Sequence, residues 1–437
     1  MKATRNIRLL YGREGMELTV PATATLLAGR HAPELPQPAR ALRDALRKPI
    51  GSPPLAELLR RRRPRSVAVT LSDITRPVPN AEILPAVLET LNAEGVSDEQ
   101  VTLLIGTGMH RPSTPAERLE LLGAELLRRC RVVDHRADDA GSLVRVADDP
   151  PVSVNAIFAR ADFRIVTGLI EPHFMAGFSG GRKGVCPALV DLQTVQRFHG
   201  YSLLSDARST AGRLDGNPCH DESLRIARLV GVDFLVNVAV NADRRMCGVY
   251  AGDMEQAHLA GARDVSAWTS ARVDEPFDLV VTCGGGSPLD QTFYQSVKGM
   301  VAALPACRED SLLLLACDCR EGIGSESYAE LMFTHSGDWR AFLDKIAADP
   351  RVRRDQWQAQ MHCRMLEKLG AERIRLACDG LSADVLAKLW VTPLRGPGPA
   401  GRRCQQAIDE FLAARPDARV AVIPDGPYTL LKAGTGD

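Results

Sequence analysis

Three short segments of this sequence combine aspartate, arginine and histidine in a pattern that suits proton transfer beside a carboxylate. They read Ser-Asp-Ile-Thr-Arg-Pro from residue 72, Gly-Thr-Gly-Met-His-Arg from residue 106 and Glu-Pro-His-Phe from residue 171. Histidine serves as an acid or a base near neutral pH. Arginine binds a carboxylate or phosphate in two-point fashion. The candidate site residues are therefore Asp73, Arg76, His110 and His173.

The third segment continues into a run of small and basic residues from Ala176 to Gly184. Small residues let the backbone approach a ligand closely. Lys183 in this run is a candidate for a phosphate contact or for a covalent bond. His199 follows a short helix that Asp191 is expected to cap, and histidine is a frequent ligand of nickel, copper and zinc.

A further polar group follows the triple glycine at residues 284–286. Tyr294, Gln295 and Lys298 lie in the first turns of a predicted helix for which Asp290 is the expected cap. Gln295 and Lys298 are three residues apart, so they share one face of that helix, away from the apolar positions.

The first three segments each follow an apolar run that is typical of a buried parallel strand, at residues 67–71, 101–105 and 163–169. Helices are predicted after the first two, one capped by Asn80 and one opened by a Thr114, Pro115 and Glu117 capping box. Ligands bind beyond the carboxyl ends of strands in open α/β sheets. Neighbouring strands would therefore bring the three segments together.

A second series of alternating strand-like and helix-like runs begins after residues 273–276, which we interpret as a hinge. We expect an α/β protein of two domains with largely parallel sheets and an active-site cleft between them. The expected boundaries are 1–272 for the cofactor-binding catalytic domain and 273–414 for a second domain that closes over the site. The strand-like run within residues 415–437 could belong to either domain, and its return to the first domain is one of these two alternatives.

Composition narrows the possible partners. The chain has 437 residues, with 54 Lys plus Arg balanced by 54 Asp plus Glu. A net charge of zero argues against binding to nucleic acid or to an anionic membrane. The sequence contains neither a leader peptide nor a run of about 20 apolar residues, so a cytoplasmic protein is expected. The 11 cysteines lack CxxC pairing and are expected to be reduced and mostly buried.

Several readings of these residues remain open at this stage. His110, His173 and His199 could form a zinc triad, as in a hydrolase. A nicotinamide-dependent 2-hydroxyacid dehydrogenase would use similar groups, although no complete GxGxxG motif is present. A cofactor-carrying protein without turnover is the non-enzymatic reading. The other histidines are interpreted as packing or surface residues: His31, His135, His220, His258, His335 and His362.

The ordered set of segments resembles the nickel-pincer-dependent lactate racemase family. The resemblance rests on residues 72–77, 106–111 and 171–183, on Tyr-Gln-Ser-Val-Lys-Gly from residue 294 and on Asp-Gln-Trp from residue 355. It runs from about residue 60 to the Val-Ile-Pro-Asp-Gly-Pro segment that ends at residue 427. Many ordered matches over most of the chain make a chance resemblance unlikely to arise.

The resemblance implies a cofactor and a role for each matching residue. The cofactor is a nickel-pincer nucleotide, pyridinium-3,5-bisthiocarboxylic acid mononucleotide, joined to Lys183 through a thioamide, with His199 as the protein ligand to nickel. His110 and His173 would be the acid/base pair. The cofactor would be lined by Asp73, Ile74, Thr75, Arg76 and Trp357, and the substrate by Arg76, Tyr294, Gln295 and Lys298.

The implied reaction is inversion at C2 of a 2-hydroxycarboxylic acid, with hydride transfer to and from the cofactor while a histidine takes the hydroxyl proton. Lactate is the default substrate, and a sugar acid such as D-gluconate is a competitor. The enzymes that synthesise the pincer cofactor would be partners of this chain.

Overall fold

A computed structural model describes residues 3–30, 32–241, 243–349 and 351–434. The chain forms two compact units, each built around its own sheet. We call one the amino-side unit, His31–Phe198 with Asp206–Trp268, and the other the carboxy-side unit, Met1–Arg30 with His199–Ser205 and Thr269–Asp437. Both sheets are largely parallel and are flanked by helices, so the expected α/β class is confirmed.

The amino-side sheet has six strands, and five adjacent strands run parallel to one another. Only the edge strand Met246–Gly252 runs antiparallel, against Phe234–Val240. In spatial order the strands are Met246–Gly252, Phe234–Val240, Phe163–Leu169, Val67–Ser72, Val101–Gly106 and Arg131–Asp134. The first strand of this sheet in the sequence, Val67–Ser72, is central. The next two strands lie on one side of it and the last three on the other, so the strand order reverses between Val67–Ser72 and Phe163–Leu169.

The central strands form because their residues are apolar at almost every position. Every residue of Val67–Ser72 except the last is buried, and Phe163–Leu169 is buried at six of its seven positions. Continuous burial of this kind is typical of parallel strands covered on both faces. The helices of this unit are Pro38–Arg47, Leu55–Arg62, Asn80–Ala93, Pro115–Arg129, Ala156–Arg160, Leu192–Phe198, Pro218–Val230 and Met254–Thr269.

Short β-structures and single turns complete the amino-side unit. They are the pairs Leu143–Asp148 with Pro151–Asn155 and Pro172–His173 with Gly177–Phe178, and the 3₁₀ turns Asp98–Gln100, Ala140–Ser142 and Gly181–Gly184.

Two of three predicted helix starts in this unit are confirmed. The Thr114 hydroxyl accepts from the Glu117 amide at 3.3 Å while the Glu117 carboxylate accepts from the Thr114 amide at 2.8 Å. Asp191 accepts from the Thr194 amide at 2.9 Å and so caps the short helix before His199. The expected cap at Asn80 is wrong, because the helix begins one residue earlier than a cap there requires and the Asn80 side chain is buried as its first residue.

The six neighbouring strands of the carboxy-side sheet all run parallel. In spatial order they are Thr392–Pro393, Ile374–Ala377, Cys307–Ala316, Phe277–Cys283, Val420–Ile423 and Thr25–Leu26. A second small parallel pair joins Ser270–Val273 to Leu430–Ala433, and an antiparallel hairpin joins Thr4–Leu9 to Met16–Pro21. The helices are Tyr201–Leu204, Phe293–Ala302, Glu326–Thr334, Trp339–Ala348, Gln356–Leu369, Ala383–Leu386 and Ala400–Ala414, with 3₁₀ turns at Leu289–Gln291, Leu304–Ala306, Ala371–Arg373 and Gly426–Tyr428.

Two parts of the chain join the carboxy-side unit: residues 3–30, which the sequence grouped with 1–272, and the strand Val420–Ile423, which the sequence left open between the two domains. The hairpin of Thr4–Leu9 and Met16–Pro21 buries alternate side chains such as Leu9 and Val20 in the same apolar core as Leu279 and Val422. The strand Val420–Ile423 pairs with Phe277–Cys283 and does not return to the amino-side sheet. Both segments bury their apolar residues against strands that are distant in the sequence. A local sequence pattern does not identify such partners.

The Asp290 cap is a further correction. Thr292 caps the helix Phe293–Ala302 by accepting from the Gln295 amide at 3.4 Å. Asp290 instead accepts from the backbone amide of Gly12 at 2.8 Å, which lies far away in sequence. The aspartate therefore ties the N-terminal hairpin to the carboxy-side sheet.

The buried strands of the amino-side sheet give a direct stability prediction. Leu103 is fully buried in the strand Val101–Gly106, so Leu103→Ala should lower the free energy of unfolding by about 3 kcal/mol through lost burial and a cavity. Leu119→Ala is the matched control, because Leu119 is 52% exposed. Urea unfolding followed by circular dichroism measures both. Equal effects of the two changes would contradict the assigned core.

Candidate active site

The three segments singled out in the sequence lie at one edge of the amino-side sheet. They follow Phe163–Leu169, Val67–Ser72 and Val101–Gly106, which are three adjacent parallel strands. The strand order reverses between the first two, and such a switch point is where ligands bind in open α/β sheets. The predicted convergence of the three loops is thus confirmed.

A short hydrogen bond links two of these loops. The Nδ1 atom of His110 lies 2.5 Å from Oδ2 of Asp73. The other carboxylate oxygen of Asp73 accepts from the Thr75 hydroxyl at 2.5 Å and from the Thr75 amide at 3.2 Å. Asp73 is buried, whereas the His110 side chain is 58% exposed. The aspartate therefore holds one side of the imidazole and leaves the ring at the surface of the unit.

The protonation of Asp73 decides which nitrogen of His110 carries hydrogen. Burial disfavours the Asp73 carboxylate, but the hydrogen bonds from His110 and Thr75 outweigh it, so the pKa of Asp73 lies below its ordinary value. An ionised carboxylate only accepts hydrogen bonds, so Nδ1 of His110 is the donor. In neutral His110, Nε2 then has the lone pair that a general base needs.

His173 has the opposite arrangement. It is 7% exposed, and its Nδ1 accepts hydrogen bonds from the backbone amides of Met175 and Ala176, each at 3.3 Å. Two amide donors at Nδ1 favour the neutral tautomer in which Nε2 carries the hydrogen. His173 therefore has a donor at Nε2 where His110 has an acceptor.

Arg76 is tied to the loop that carries His173. Its Nη1 forms an ion pair with Glu171, two residues before that histidine. The Glu171 backbone is held in turn, because its amide donates to the Ser179 hydroxyl at 3.0 Å and its carbonyl accepts from the Ser179 amide at 2.9 Å. The ion pair links the Asp73 loop to the His173 loop.

Lys183 lies in the single 3₁₀ turn Gly181–Gly184, against the two strands on either side of the switch point. A Cβ on Gly184 would lie 2.4 Å from Cγ1 of Val166 and 3.4 Å from Oγ1 of Thr70, so only glycine allows this approach. Asn237 on the next strand accepts from the Gly181 amide at 2.7 Å. The turn that presents Lys183 is therefore fixed at both ends.

The surroundings of Lys183 favour its neutral amine. Burial, and then the positive charges of Arg182 and Arg76, lower the pKa of Lys183 to about 7. Its Nζ atom lies 4.9 Å from the centroid of the Phe198 ring. A neutral amine is a nucleophile, whereas an ordinary lysine is almost wholly protonated at neutral pH. Lys183 is thus suited to forming a covalent bond.

Arg182 is a fully buried arginine that braces the loop before Lys183. Its Nη2 donates to the Ala176 carbonyl at 2.6 Å, and its Nη1 lies 2.9 Å from Nε2 of His258. Burial lowers the pKa of Arg182 to about 9 and, together with the arginine, keeps the pKa of His258 well below its ordinary value. His258 is therefore neutral and structural.

The carboxy-side unit carries a second group of predicted residues. The Tyr294 hydroxyl donates to Oδ1 of Asp355 at 3.2 Å, and Ser325 donates to Oδ2 of the same carboxylate. Burial and the Asp355 charge raise the pKa of Tyr294. Asp355 has a left-handed backbone, with φ of 63°, where the helix Gln356–Leu369 begins. Strained residues of this kind are common at functional sites.

Two aromatic rings and one unpaired oxygen complete this second group. His199 is 9% exposed, and its ring centroid lies 4.6 Å from that of Trp357. Oε1 of Gln295 is buried and has no hydrogen-bond partner among the residues that the structure describes. A buried acceptor without a partner needs explanation, and a bound ligand would provide one.

The predicted site residues thus form two groups, one in each unit. The amino-side group contains Asp73, Ile74, Thr75, Arg76, His110, His173 and Lys183; the carboxy-side group contains His199, Tyr294, Gln295, Lys298 and Trp357. Ile74 packs against the hydrophobic core, and the Thr75 hydroxyl is bound to Asp73, so their contact with a cofactor stays a prediction.

The structure also bears on the other sequence readings. Across the described part of the chain, only one group of three metal-ligand side chains lies within 4.8 Å, and it consists of cysteines. All 11 cysteines are buried and unpaired by disulfides, as expected. His135, His258 and His362 are buried, whereas His31 lies outside the described residues. The helices in the described ranges are all too short or too polar to cross a membrane.

Sequence reasoning assigned no role to Glu171, Arg182, Asn237 or Asp355. Asn237 is the polar residue in an otherwise apolar buried strand, Phe234–Val240, and that exception was a usable signal. The partners of Glu171 and Asp355 are 95 and 61 residues away, so no local pattern identifies them.

The sequence matches two family models. Residues 11–212 match the lactate racemase N-terminal domain, and residues 273–430 match the lactate racemase C-terminal domain. The lactate racemase of Thermoanaerobacterium thermosaccharolyticum is 30% identical over 396 residues, covering 90% of both chains. That of Lactiplantibacillus plantarum is 32% identical over 394 residues, covering 89% of both.

Two solved structures share the fold. The lactate racemase apoprotein of Thermoanaerobacterium thermosaccharolyticum superimposes with a TM-score of 0.88 at 28% identity, covering 98% of this chain and all of that one. A Thermotoga maritima protein has a TM-score of 0.65 at 16% identity, over 90% of this chain and 98% of that one. The second likeness supports the fold alone.

The paired α/β units and the sequence matches define an isomerase of the racemase class. The chain belongs to the lactate racemase family.

The lowered pKa of Lys183 predicts selective acylation. At pH 7 about half of the Lys183 side chains are neutral, whereas an ordinary lysine with a pKa of about 10.4 is neutral in well under ~0.1% of molecules. Lys183 should therefore react with a small amine-directed ester faster than the exposed Lys48 and Lys388 in the same molecule. Peptide mass spectrometry across a pH series measures the rates, and the Lys183 rate should level off above about pH 7. A Lys183 rate that keeps rising to pH 10 would contradict the assigned environment.

Proposed function

We propose that this chain inverts the configuration at C2 of a 2-hydroxycarboxylate, with lactate as the first substrate to test. The observation that carries the proposal is the opposite arrangement of His110 and His173, whose loops follow the two strands on either side of Val67–Ser72. One imidazole has an acceptor at Nε2 because Asp73 binds its Nδ1. The other has a donor at Nε2 because two backbone amides bind its Nδ1. Inversion of a hydroxy acid needs an acid/base group on each side of C2, because the hydroxyl points to opposite sides in the two enantiomers.

In this proposal His110 accepts the hydroxyl proton at Nε2 while the C2 hydrogen leaves as hydride. Asp73 stabilises the imidazolium that forms, since a carboxylate at 2.5 Å makes a charge-assisted hydrogen bond with it. His173 directs its Nε2 hydrogen to the C2 oxygen and polarises the planar 2-keto acid. The family resemblance extends its role to that of a full acid/base partner of His110.

The substrate carboxylate is assigned to cationic and amide side chains. Arg76 keeps further guanidinium donors besides the Nη1 that binds Glu171, and a guanidinium suits two-point binding of a carboxylate. In the carboxy-side unit, Lys298 supplies a positive charge and Gln295 a polar side chain whose Oε1 is unpaired. Tyr294, fixed by Asp355, is assigned to the same substrate contact.

The residues present fit a nickel-pincer nucleotide. Lys183 has the nucleophilic amine that a thioamide linkage requires, and the two arginines that lower its pKa suit an anionic cofactor. His199 would bind nickel, and Trp357, stacked near it, would line the cofactor site together with Asp73, Ile74, Thr75 and Arg76. When bound, the cofactor supplies a centre that accepts and returns hydride.

Lactate is the proposed substrate because the family members of comparable length are named for it. A larger 2-hydroxy acid such as D-gluconate, epimerised at C2, is the second substrate to test. The proposal also implies that the chain meets the pincer-synthesis enzymes, and we expect this in the cytoplasm.

The intact mass and nickel content of protein co-expressed with the pincer-synthesis enzymes test the cofactor assignment. We expect one covalent adduct and about one nickel per chain in the wild type, as the family resemblance implies. Lys183→Ala should lose the adduct, because no other amine lies in the Gly181–Gly184 turn. Lys298→Ala is the matched control: it should keep the adduct and raise KM.

Two results would contradict the cofactor assignment. The first is an adduct of full mass on Lys183→Ala. The second is a wild-type chain with apoprotein mass despite an active synthesis pathway, which would remove the basis for the hydride mechanism. Racemisation of lactate and epimerisation of gluconate are then measured on the loaded enzyme by chiral chromatography.

The hydrogen bond between Asp73 and His110 predicts a loss of turnover in Asp73→Asn. The amide oxygen still accepts from Nδ1, but it stabilises the imidazolium poorly, so kcat should fall by about 10²-fold or more with little change in KM. Asp98→Asn, which removes a carboxylate from a surface ion pair with Arg129, should leave kcat unchanged. Racemisation rates on cofactor-loaded protein measure both. Retention of normal kcat in Asp73→Asn would exclude His110 as a base assisted by Asp73.

A further inference from the structure

Three cysteines meet at the carboxyl edge of the carboxy-side sheet. Cys317 and Cys319 follow the strand Cys307–Ala316, and Cys378 follows the neighbouring strand Ile374–Ala377. Ala316 pairs with Ala377, so Cys317 and Cys378 are the first residues beyond the paired positions of two parallel strands. Their exposed fractions are 0%, 0% and 2%, and their three Sγ atoms lie within 4.8 Å of one another.

The sulfur spacing suits coordination of a metal. Thiolates bound tetrahedrally to zinc at about 2.3 Å lie about 3.8 Å apart. Sγ of Cys319 is 3.3 Å from Sγ of Cys317, and every pair is below 4.8 Å, so side-chain rotations alone bring the atoms to that spacing. The three cysteines are free thiols, because a disulfide requires sulfur atoms about 2.0 Å apart.

The backbone around the cysteines is held in a conformation that keeps them together. Cys319 has a left-handed φ of 51°, and its amide donates to the Asp290 carbonyl at 2.8 Å. The Gly380 amide donates to the Asp318 carbonyl at 2.9 Å, and a Cβ on Gly380 would lie 2.2 Å from the Cys319 carbonyl oxygen. The two strand-end loops are therefore bonded to each other at the closest approach that glycine allows.

Oxygen atoms beside the three thiols suit a cation. Sγ of Cys378 donates to the Asp318 carbonyl oxygen at 3.6 Å. Asp290 lies against the same turn, and its buried Oδ1 atom lacks a hydrogen-bond partner among the described residues. A bound metal ion replaces the thiol protons and offsets the negative charge that deprotonation leaves.

We propose that Cys317, Cys319 and Cys378 form a closed three-thiolate site for a soft d¹⁰ metal cation, Zn²⁺ or Cu⁺. Thiolate ligands select these ions over harder cations. The site contains none of the residues assigned to the proposed nickel chemistry. Its position gives it a structural role: a Cβ on Gly284 would meet both Oγ of Ser296 and Cβ of Cys317, so the cysteines lie directly beneath the helix that carries Gln295 and Lys298.

Access to the site follows from its surroundings. Asp379 and Gly380, which follow Cys378, are exposed, and the Tyr11 hydroxyl donates to Oδ2 of Asp379 at 3.2 Å. A cation therefore enters from the loop side, under Tyr11. Once bound, it joins the ends of two strands that are otherwise linked only through backbone pairing and hydrogen bonds.

Metal analysis of the full-length chain tests the proposal. Reduced protein is given a slight excess of Zn²⁺ alone or, in a second anaerobic arm, of Cu⁺ alone, and bound metal is measured by native mass spectrometry. We expect one tightly bound ion per chain and a higher unfolding temperature in its presence. Co²⁺ in place of Zn²⁺ should give thiolate-to-metal charge-transfer absorption. The arm with the higher affinity identifies the ion.

Matched variants assign the metal to the cysteines. Cys378→Ser should lower the apparent affinity by more than about 100-fold and remove the charge-transfer absorption. Cys404→Ser, at a buried cysteine in the helix Ala400–Ala414 of the same unit, should bind like the wild type. His199→Ala should also retain the ion, which separates this site from a metal bound by that histidine. Cys319→Ser is the second variant if Cys378→Ser does not fold.

Three results would overturn the proposal. One is a wild-type chain that binds neither ion more tightly than Cys378→Ser and Cys319→Ser do. Another is loss of the ion in His199→Ala with retention in the cysteine variants. The third is a chain isolated with a disulfide between two of the three cysteines, which would be two hydrogens lighter and would gain no thermal stability from added metal.

Discussion

The parallel pairing of Phe163–Leu169, Val67–Ser72 and Val101–Gly106 is the constraint on which the amino-side group of site residues depends. Parallel strands end at the same edge, and the chain reverses direction across the sheet between two of these three. The loops that follow them therefore meet although they are far apart in the sequence; the ion pair of Arg76 with Glu171 joins residues 95 positions apart. Buried apolar residues hold the strands in place, so the polar loops are positioned by a rigid support.

Burial then sets the chemical state of the groups on this support. Lys183 is held near neutrality because its surroundings disfavour a further positive charge. Burial also disfavours the charged form of Asp73, yet its hydrogen bonds keep it ionised, and this fixes the tautomer of His110. The same physical effect, desolvation, is thus opposed by hydrogen bonds at one residue and reinforced by arginines at the other. The neighbouring groups thus decide the charge of each side chain: Asp73 is ionised, and the amine of Lys183 is available in its neutral form.

The carboxy-side sheet uses the same geometry for different residues. Its parallel strands Cys307–Ala316 and Ile374–Ala377 end side by side and bring three thiols together, just as the amino-side strands bring aspartate, histidine and arginine together. The helix Phe293–Ala302 lies over this edge, with Ser296 towards the cysteines and Gln295 and Lys298 on another face. A change in the cysteine group would therefore be felt by the residues assigned to the substrate.

The sequence alone determined the α/β class, the three central strands of the amino-side sheet with several of the helices, and the residue types of the amino-side loops, because apolar periodicity, capping boxes and motif order are local properties. It also carried the family resemblance, which the comparisons confirm. Only the tertiary structure decided that the N-terminal hairpin and Val420–Ile423 join the carboxy-side sheet, that Asp73 binds His110, and that Asp290 binds Gly12. These pairings join segments far apart in the chain, and their free energy comes from burial and hydrogen bonds that exist only once both segments are folded together.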